Sequence, residues 1–199
     1  MGQFKMKIGY IGDIASIIKN LQELGAEILF SLSGACDGLI ITDNIDGNYF
    51  EHIKKKFDIP IIVSGDPGRA YKNISVLVFD EDELNIFYQK HNVKGLQQCK
   101  DLLRDLGIHY LVVALNKEQI QQRVQHQLPN ARAENINITK KEVEKAKDTL
   151  IALVGYIYIK EGTLSSEAIN KANVGAALSV IGNTGNLKDY YLDINFKKD

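Results

Sequence analysis

Apolar residues along this chain fall into short runs of four to eight, separated by segments of helical spacing. Lys5–Ile11 is such a run and ends at Gly12-Asp13. Ile14, Ile17, Ile18, Leu21 and Leu24 then recur every three or four residues, the mark of an amphipathic helix. Gly25 stops it, as a left-handed cap does. Further strands are predicted over Glu27–Leu32, Gly38–Thr42, Ile59–Val63 and Ile74–Phe79, with a helix over Tyr49–Phe57. Gly95–Leu106 places Leu96, Cys99, Leu102, Leu103 and Leu106 on one stripe, with Gly107 after it. His109–Leu115 reads as a buried strand, Lys117–Gln127 as a polar helix.

Thr139 with Glu142 three residues on is a capping box and predicts a helix over Thr139–Thr149. Leu150–Tyr158 reads as a strand, Ser165–Lys171 as a short helix, Val174–Val180 as a further strand. Tyr190–Ile194 reads as an edge strand and Gln125–Asn137, with Pro129, as irregular. Tyr156 and Tyr158 would share one face of their strand. Strands alternating with helices predict an α/β fold with a mostly parallel, Rossmann-like sheet flanked by helices. Glycine, proline and polar residues cluster over Gly65–Asn73. They divide the chain into two halves, 1–73 and 74–199, the first resembling flavodoxin-like and receiver-like sheets.

Composition narrows the function classes. The formal charge of −1 gives no electrostatic case for nucleic acid or an acidic membrane surface. No apolar run reaches the roughly 20 residues that span a bilayer, and Met1–Gly12 is too short in its apolar part for a secretory signal. Cys36 and Cys99 are far apart, with no histidine at ligand spacing, and are expected to be idle thiols in a reducing compartment. The expected location is the cytoplasm. The four histidines show no metal-ligand spacing, so no metal site is expected from them.

Candidate chemistry lies after strands, where open α/β sheets hold their ligands. Val76–Phe79 runs into Asp80-Glu81-Asp82-Glu83. Side chains alternate along a strand, so Asp80 and Asp82 are expected to point the same way once it ends. The same four acids also suit a solvated turn or a helix N-terminus. Gly12 and Asp13 can present backbone N–H groups to an anion, Ser64 follows the fourth strand, and Arg69 is the candidate anion contact in the Gly65–Arg69 loop. Asp13 stands alone after strand one and Asp43 follows strand three.

The second half, roughly 75–185, resembles the haloacid dehalogenase-like hydrolases, nearest to the phosphorylation domain of P-type cation ATPases. Three segments carry the resemblance: Asp80 with Asp82 after a strand, Lys100–Asn116, and Leu150–Gly155 with Ala168–Ser179. It implies Asp80 as phosphoryl-accepting nucleophile and Asp82 as acid/base, with Lys140, Lys141 or Lys145 as the phosphate cation. It also implies Gly155 at a fourth-motif strand end, with magnesium as the cofactor of an active phosphatase. The second-motif hydroxyl position holds Ala114, with Asn116 nearby, and Tyr156 stands where a metal-binding acid follows the glycine. The reading from these departures is a catalytically depleted protein with no cofactor. It would bind a small anionic ligand or a protein partner through Gly12, Asp13, Ser64, Arg69, Asn116, Lys141 and Gly155, in a regulatory role, with a homodimer as a candidate assembly. The alternative is a magnesium-dependent phosphatase built on Asp80 and Asp82.

Overall fold

The computed structural model describes residues 5–30, 35–43, 47–67, 71–127 and 138–181. Six strands form one sheet: β1 (Lys7–Ile11), β2 (Glu27–Leu29), β3 (Gly38–Ile41), β4 (Ile61–Ser64), β5 (Val76–Phe79) and β6 (Tyr110–Val113). Their order is β2-β1-β3-β4-β5-β6, and every pairing is parallel. The α/β, Rossmann-like expectation is met. The boundary expected near residue 73 falls between paired neighbours, since Ile62 of β4 lies beside Val76 of β5. The two expected halves therefore share one sheet.

Alternation along the strands sorts the core into two layers. Ile40, Ile62, Val76 and Val78 face one side; Leu39, Ile41, Leu77 and Phe79 face the other. Helices α1 (Ala15–Glu23), α5 (Lys117–Gln127), α6 (Lys140–Glu161) and α7 (Ser166–Val180) cover the first side. Helices α2 (Gly47–Lys56), α3 (Glu81–Lys90) and α4 (Leu96–Asp105), with a short 3-10 turn at Tyr71–Asn73, lie on the second.

The strands predicted over Leu150–Tyr158 and Val174–Val180 are helical. The first is the middle of α6, which runs unbroken from the Thr139 capping box to Gly162 at φ +72°. It is apolar all round because it lies between the sheet and α7, so its helical period is hidden and a strand-like run is left. The second lies in α7 and holds Ala176 and Ala177, strong helix formers that pack closely on α6. Tyr156 and Tyr158 consequently do not share a face. Tyr158 is buried, its ring on Tyr110 and its hydroxyl 2.9 Å from His109 Nδ1, while Tyr156 is half-buried.

Helix α6 runs against the strand direction. Lys147, near its start, reaches the carboxyl end of β5, while Ile159, near its end, packs at Gly38 where β3 begins. A Cβ at Gly38 would stand 2.4 Å from Ile159, and one at Gly155 would stand 2.5 Å from Ile40, so both glycines let helix and sheet approach. Cys36 and Cys99 are free and buried. Among the described residues no helix is long and apolar enough to cross a membrane. The Tyr190–Ile194 expectation lies outside the described residues.

Candidate functional site

Parallel strands bring all their carboxyl ends to one edge, and the strand order reverses between β1 and β3 at that edge. Asp80 is the residue on which this edge is built. β5 ends at Phe79 and α3 begins at Glu81, so Asp80 is the cap between them. Its Oδ1 accepts the Glu83 N–H at 2.9 Å, and Glu83 Oε2 accepts the Asp80 N–H at 2.8 Å. This reciprocal pair satisfies two donors that a helix start would leave orphaned. The acidic run is thus a helix N-terminus, the alternative the sequence left open. Asp82 sits on the exposed first turn of α3, and the expectation that it points with Asp80 fails because the strand has already ended.

Lys147 closes the arrangement from α6. Its Nζ donates to Asp80 Oδ2 and to Glu83 Oε2, each at 2.7 Å, and its side chain is only 17% exposed. Burial alone would raise the Asp80 carboxyl. The hydrogen bond and charge of Lys147, with the N–H groups of Glu83 and Asp82, outweigh it and hold the group below the usual carboxylate range. Burial pushes Lys147 down, and its two carboxylate partners reverse that, leaving its affinity for the proton raised. Both partners shift in the sense that favours the ion pair.

Two clefts flank this bridge. The first, about 750 Å³, lies between the end of β6 and the start of α6, with Asn116, Lys117 and Lys140 on its walls beside Glu81 and Asp82. The second, about 660 Å³, lies over the ends of β3 and β4, with Thr42, Asp43, Ser64 and Asp66. Its far wall is Glu144 and Asp148 on α6, and among the described residues Lys147 is the only cation that lines it. A surplus of carboxylates on that side opposes an anionic occupant. The first cleft is of mixed charge.

The residues expected to bind a ligand are not brought to one place. Ser64 lines the second cleft and Asn116 the first. Asn116 is engaged in the structure: its Nδ2 donates to Glu81 Oε2 at 3.0 Å, and it exchanges 3.0 Å hydrogen bonds with Gln119 at the start of α5. Gly12 and Asp13 follow β1 without lining either cleft. A Cβ at Gly12 would meet Thr42 Oγ1 at 2.0 Å, so this glycine serves the Tyr10–Thr42 contact, a 3.0 Å hydrogen bond. Lys141 is exposed on the first turn of α6 and outside the cleft walls. Arg69 lies outside the described residues. Gly155 is corrected outright: it stands in mid-helix against Ile40, roughly 12 Å along α6 from Lys147 at about 1.5 Å per residue. The turn that the fourth-motif segment of the resemblance requires does not exist there.

Magnesium keeps several waters and is commonly held by one or two carboxylates together with substrate phosphate. Among the described residues no three His, Cys, Asp or Glu side chains converge on one point. The second-motif position, Ala114, is buried and offers no hydroxyl.

Lys147 is the functional side chain that the pattern of lysines did not single out. It falls four residues after Val143 and four before Ile151, on the inward stripe of α6. A lysine on a stripe of that kind needs a buried carboxylate partner. The signal was readable only once α6 is continued beyond Thr149.

Asp148, its neighbour, accepts a hydrogen bond from Ser16 of α1. Burial raises its carboxyl above the ordinary value, with Glu144 adding to the effect against the Ser16 hydroxyl and the Lys147 charge. A raised acid binds its proton more tightly when folded, so it makes stability fall as pH rises from the unfolded value, about 3.9, through the folded one. Asp148→Asn is therefore expected to be at least as stable as the parent at pH 7. Its advantage should vanish below about pH 4, as read from urea midpoints at the two pH values.

No family model matches this chain, and no curated protein matches it.

Proposed function

We propose that this is a binding protein with a regulatory role, acting through a protein partner, in which Asp80 serves the fold and transfers no phosphoryl group. The observation that carries the reading is the Lys147 bridge. A nucleophilic carboxylate must keep one oxygen free and aligned with phosphorus. Here Oδ1 is held by the Glu83 N–H and Oδ2 by Lys147, which Glu83 shares. A substrate phosphate would have to break a cap and a sheltered ion pair before meeting the nucleophile. It would also enter with Asp43, Asp66, Glu144 and Asp148 on one flank and Glu81 and Asp82 on the other. The second cleft's carboxylates weigh against an anionic small molecule there as well, which supports a protein partner as the ligand class.

Hydrolysis of a generic aryl phosphate with added magnesium tests this directly. The parent protein and Asp80→Asn are expected to give the same background rate. Turnover by the parent that Asp80→Asn abolishes would overturn the reading and install the phosphatase in its place.

A further inference from the structure

Strand β6 is an edge of the sheet: among the described residues none pairs with its outer side, and one of its faces is only partly covered. In a parallel pair, alternate residues turn their backbone groups toward the neighbouring strand. Tyr110 N–H donates to Ser75 O at 3.1 Å and Ala114 N–H to Phe79 O at 2.7 Å, so residues 110, 112 and 114 face β5. The N–H and C=O groups of Leu111 and Val113 therefore point away from the sheet. The same two side chains lie on the face shared with α3 and α4, and there they floor a groove of about 810 Å³. Val113 is 37% exposed and Leu96, on the rim, is 66% exposed.

The groove has one sign of charge. Leu96, Lys100, Leu103 and Arg104 of α4 line it, with His109 at its end, and among the described residues no carboxylate does. Asp101 and Asp105 fall on the other side of the helix by its spacing. Arg104 rests one guanidinium nitrogen on Asp101 at 2.8 Å, and its side chain stays 74% exposed. A second copy pairing edge to edge about a two-fold axis would bring Lys100 and Arg104 toward their own equivalents, a like-charge meeting. An extended segment that alternates apolar and acidic residues meets the surface on every count. Its backbone takes the free groups of Leu111 and Val113, its apolar residues fill the groove, and its carboxylates reach Lys100 and Arg104.

We propose that the open edge of β6, with the Lys100–Arg104 side of α4, docks an acidic extended segment of a partner protein as a seventh strand. This deepens the binding-protein reading but fails separately from it, since turnover at Asp80 would leave the β6 edge as it is. The probes are a short peptide alternating valine with glutamate and its counterpart with lysine in place of glutamate. Both are titrated into the isotope-labelled full chain. The glutamate peptide is expected to shift the amide signals of β6 and α4, and to slow hydrogen exchange at Leu111 and Val113. The double variant Lys100→Glu with Arg104→Glu, changed only at exposed positions, should bind it at least about tenfold more weakly and gain affinity for the lysine peptide. Val113→Pro, which removes an outward N–H, should lose both. Three results overturn the proposal: no response at β6, equal binding of both peptides by parent and double variant, or a parent dimer in sedimentation whose interface protects β6.

Discussion

Phe79→Ala is expected to cost about 3–5 kcal/mol, the range for removing a buried phenylalanine from a packed core. Phe79 is fully buried at the last position of β5, with its ring 5.5 Å from that of Phe87, which in turn lies 5.7 Å from Tyr71. The aromatic contact adds roughly 0.5–1.5 kcal/mol beyond the area it buries. A domain of this kind has about 5–15 kcal/mol of stability in all, so the loss is a large share of it. At about 2–4 °C per kcal/mol for a chain of this size, the melting temperature should fall by roughly 6–20 °C. Urea denaturation gives the free energy directly. A loss under about 1 kcal/mol would mean that α3 does not pack on β5 as described. The change also removes the anchor of Asp80, its immediate neighbour, so the cap of α3 should loosen with it.

Lys147→Met is expected to cost about 1–2 kcal/mol at pH 7. Removing one partner of a fully buried pair costs about 3–5 kcal/mol, and an exposed pair is worth about 0–1. This bridge lies between those limits, because the Asp80 and Glu83 side chains keep 40% and 28% of their exposure. Methionine fills most of the same volume, so the loss reports the unpaired carboxylates. The pH dependence separates charge from packing. The depressed folded value of Asp80 means that its contribution is complete above the unfolded value and is lost as pH falls through the folded one, below about 3.9. Without the ammonium, burial is opposed only by the Glu83 and Asp82 N–H groups, so the depression of the carboxyl weakens. The deficit of Lys147→Met relative to the parent should therefore shrink as pH falls below about 4. A deficit that stays constant over that range would assign the effect to packing. Lys141→Met, at an exposed position on the same helix, should change stability by no more than about 0.5 kcal/mol.

The sheet was legible because its strands are short β-branched runs that stop at punctuation. Ile61–Val63 ends at Ser64-Gly65, and Val76–Phe79 ends at Asp80. Parallel pairing followed from the helices between them, and with it the gathering of Asp43, Ser64, Asp80 and Asn116 at one edge. The C-terminal helices were misread for a reason that also explains their role. Residues 150–158 are buried on both sides of α6, which erases the periodicity that distinguishes helix from strand. The error carried Gly155 to a strand end that does not exist. The Asp80–Asp82 pairing failed at a finer scale, because a cap one residue long separates β5 from α3 and alternation does not pass through it. Lys147 stayed hidden because its two partners are more than 60 positions away.

Three of the four helices that close one side of the sheet, α5, α6 and α7, are encoded after β6, the last strand among the described residues. When β6 leaves the ribosome, α5, α6 and α7 have yet to be made, and Ile40, Ile62, Val76 and Val78 wait for them. At about 5–20 residues per second, the roughly 70 residues from β6 to the end of α7 take several seconds to appear. A nascent chain halted before α6 displays an aliphatic surface to holdase chaperones, so their grip on it should be strongest in that interval and should lapse once α7 has emerged.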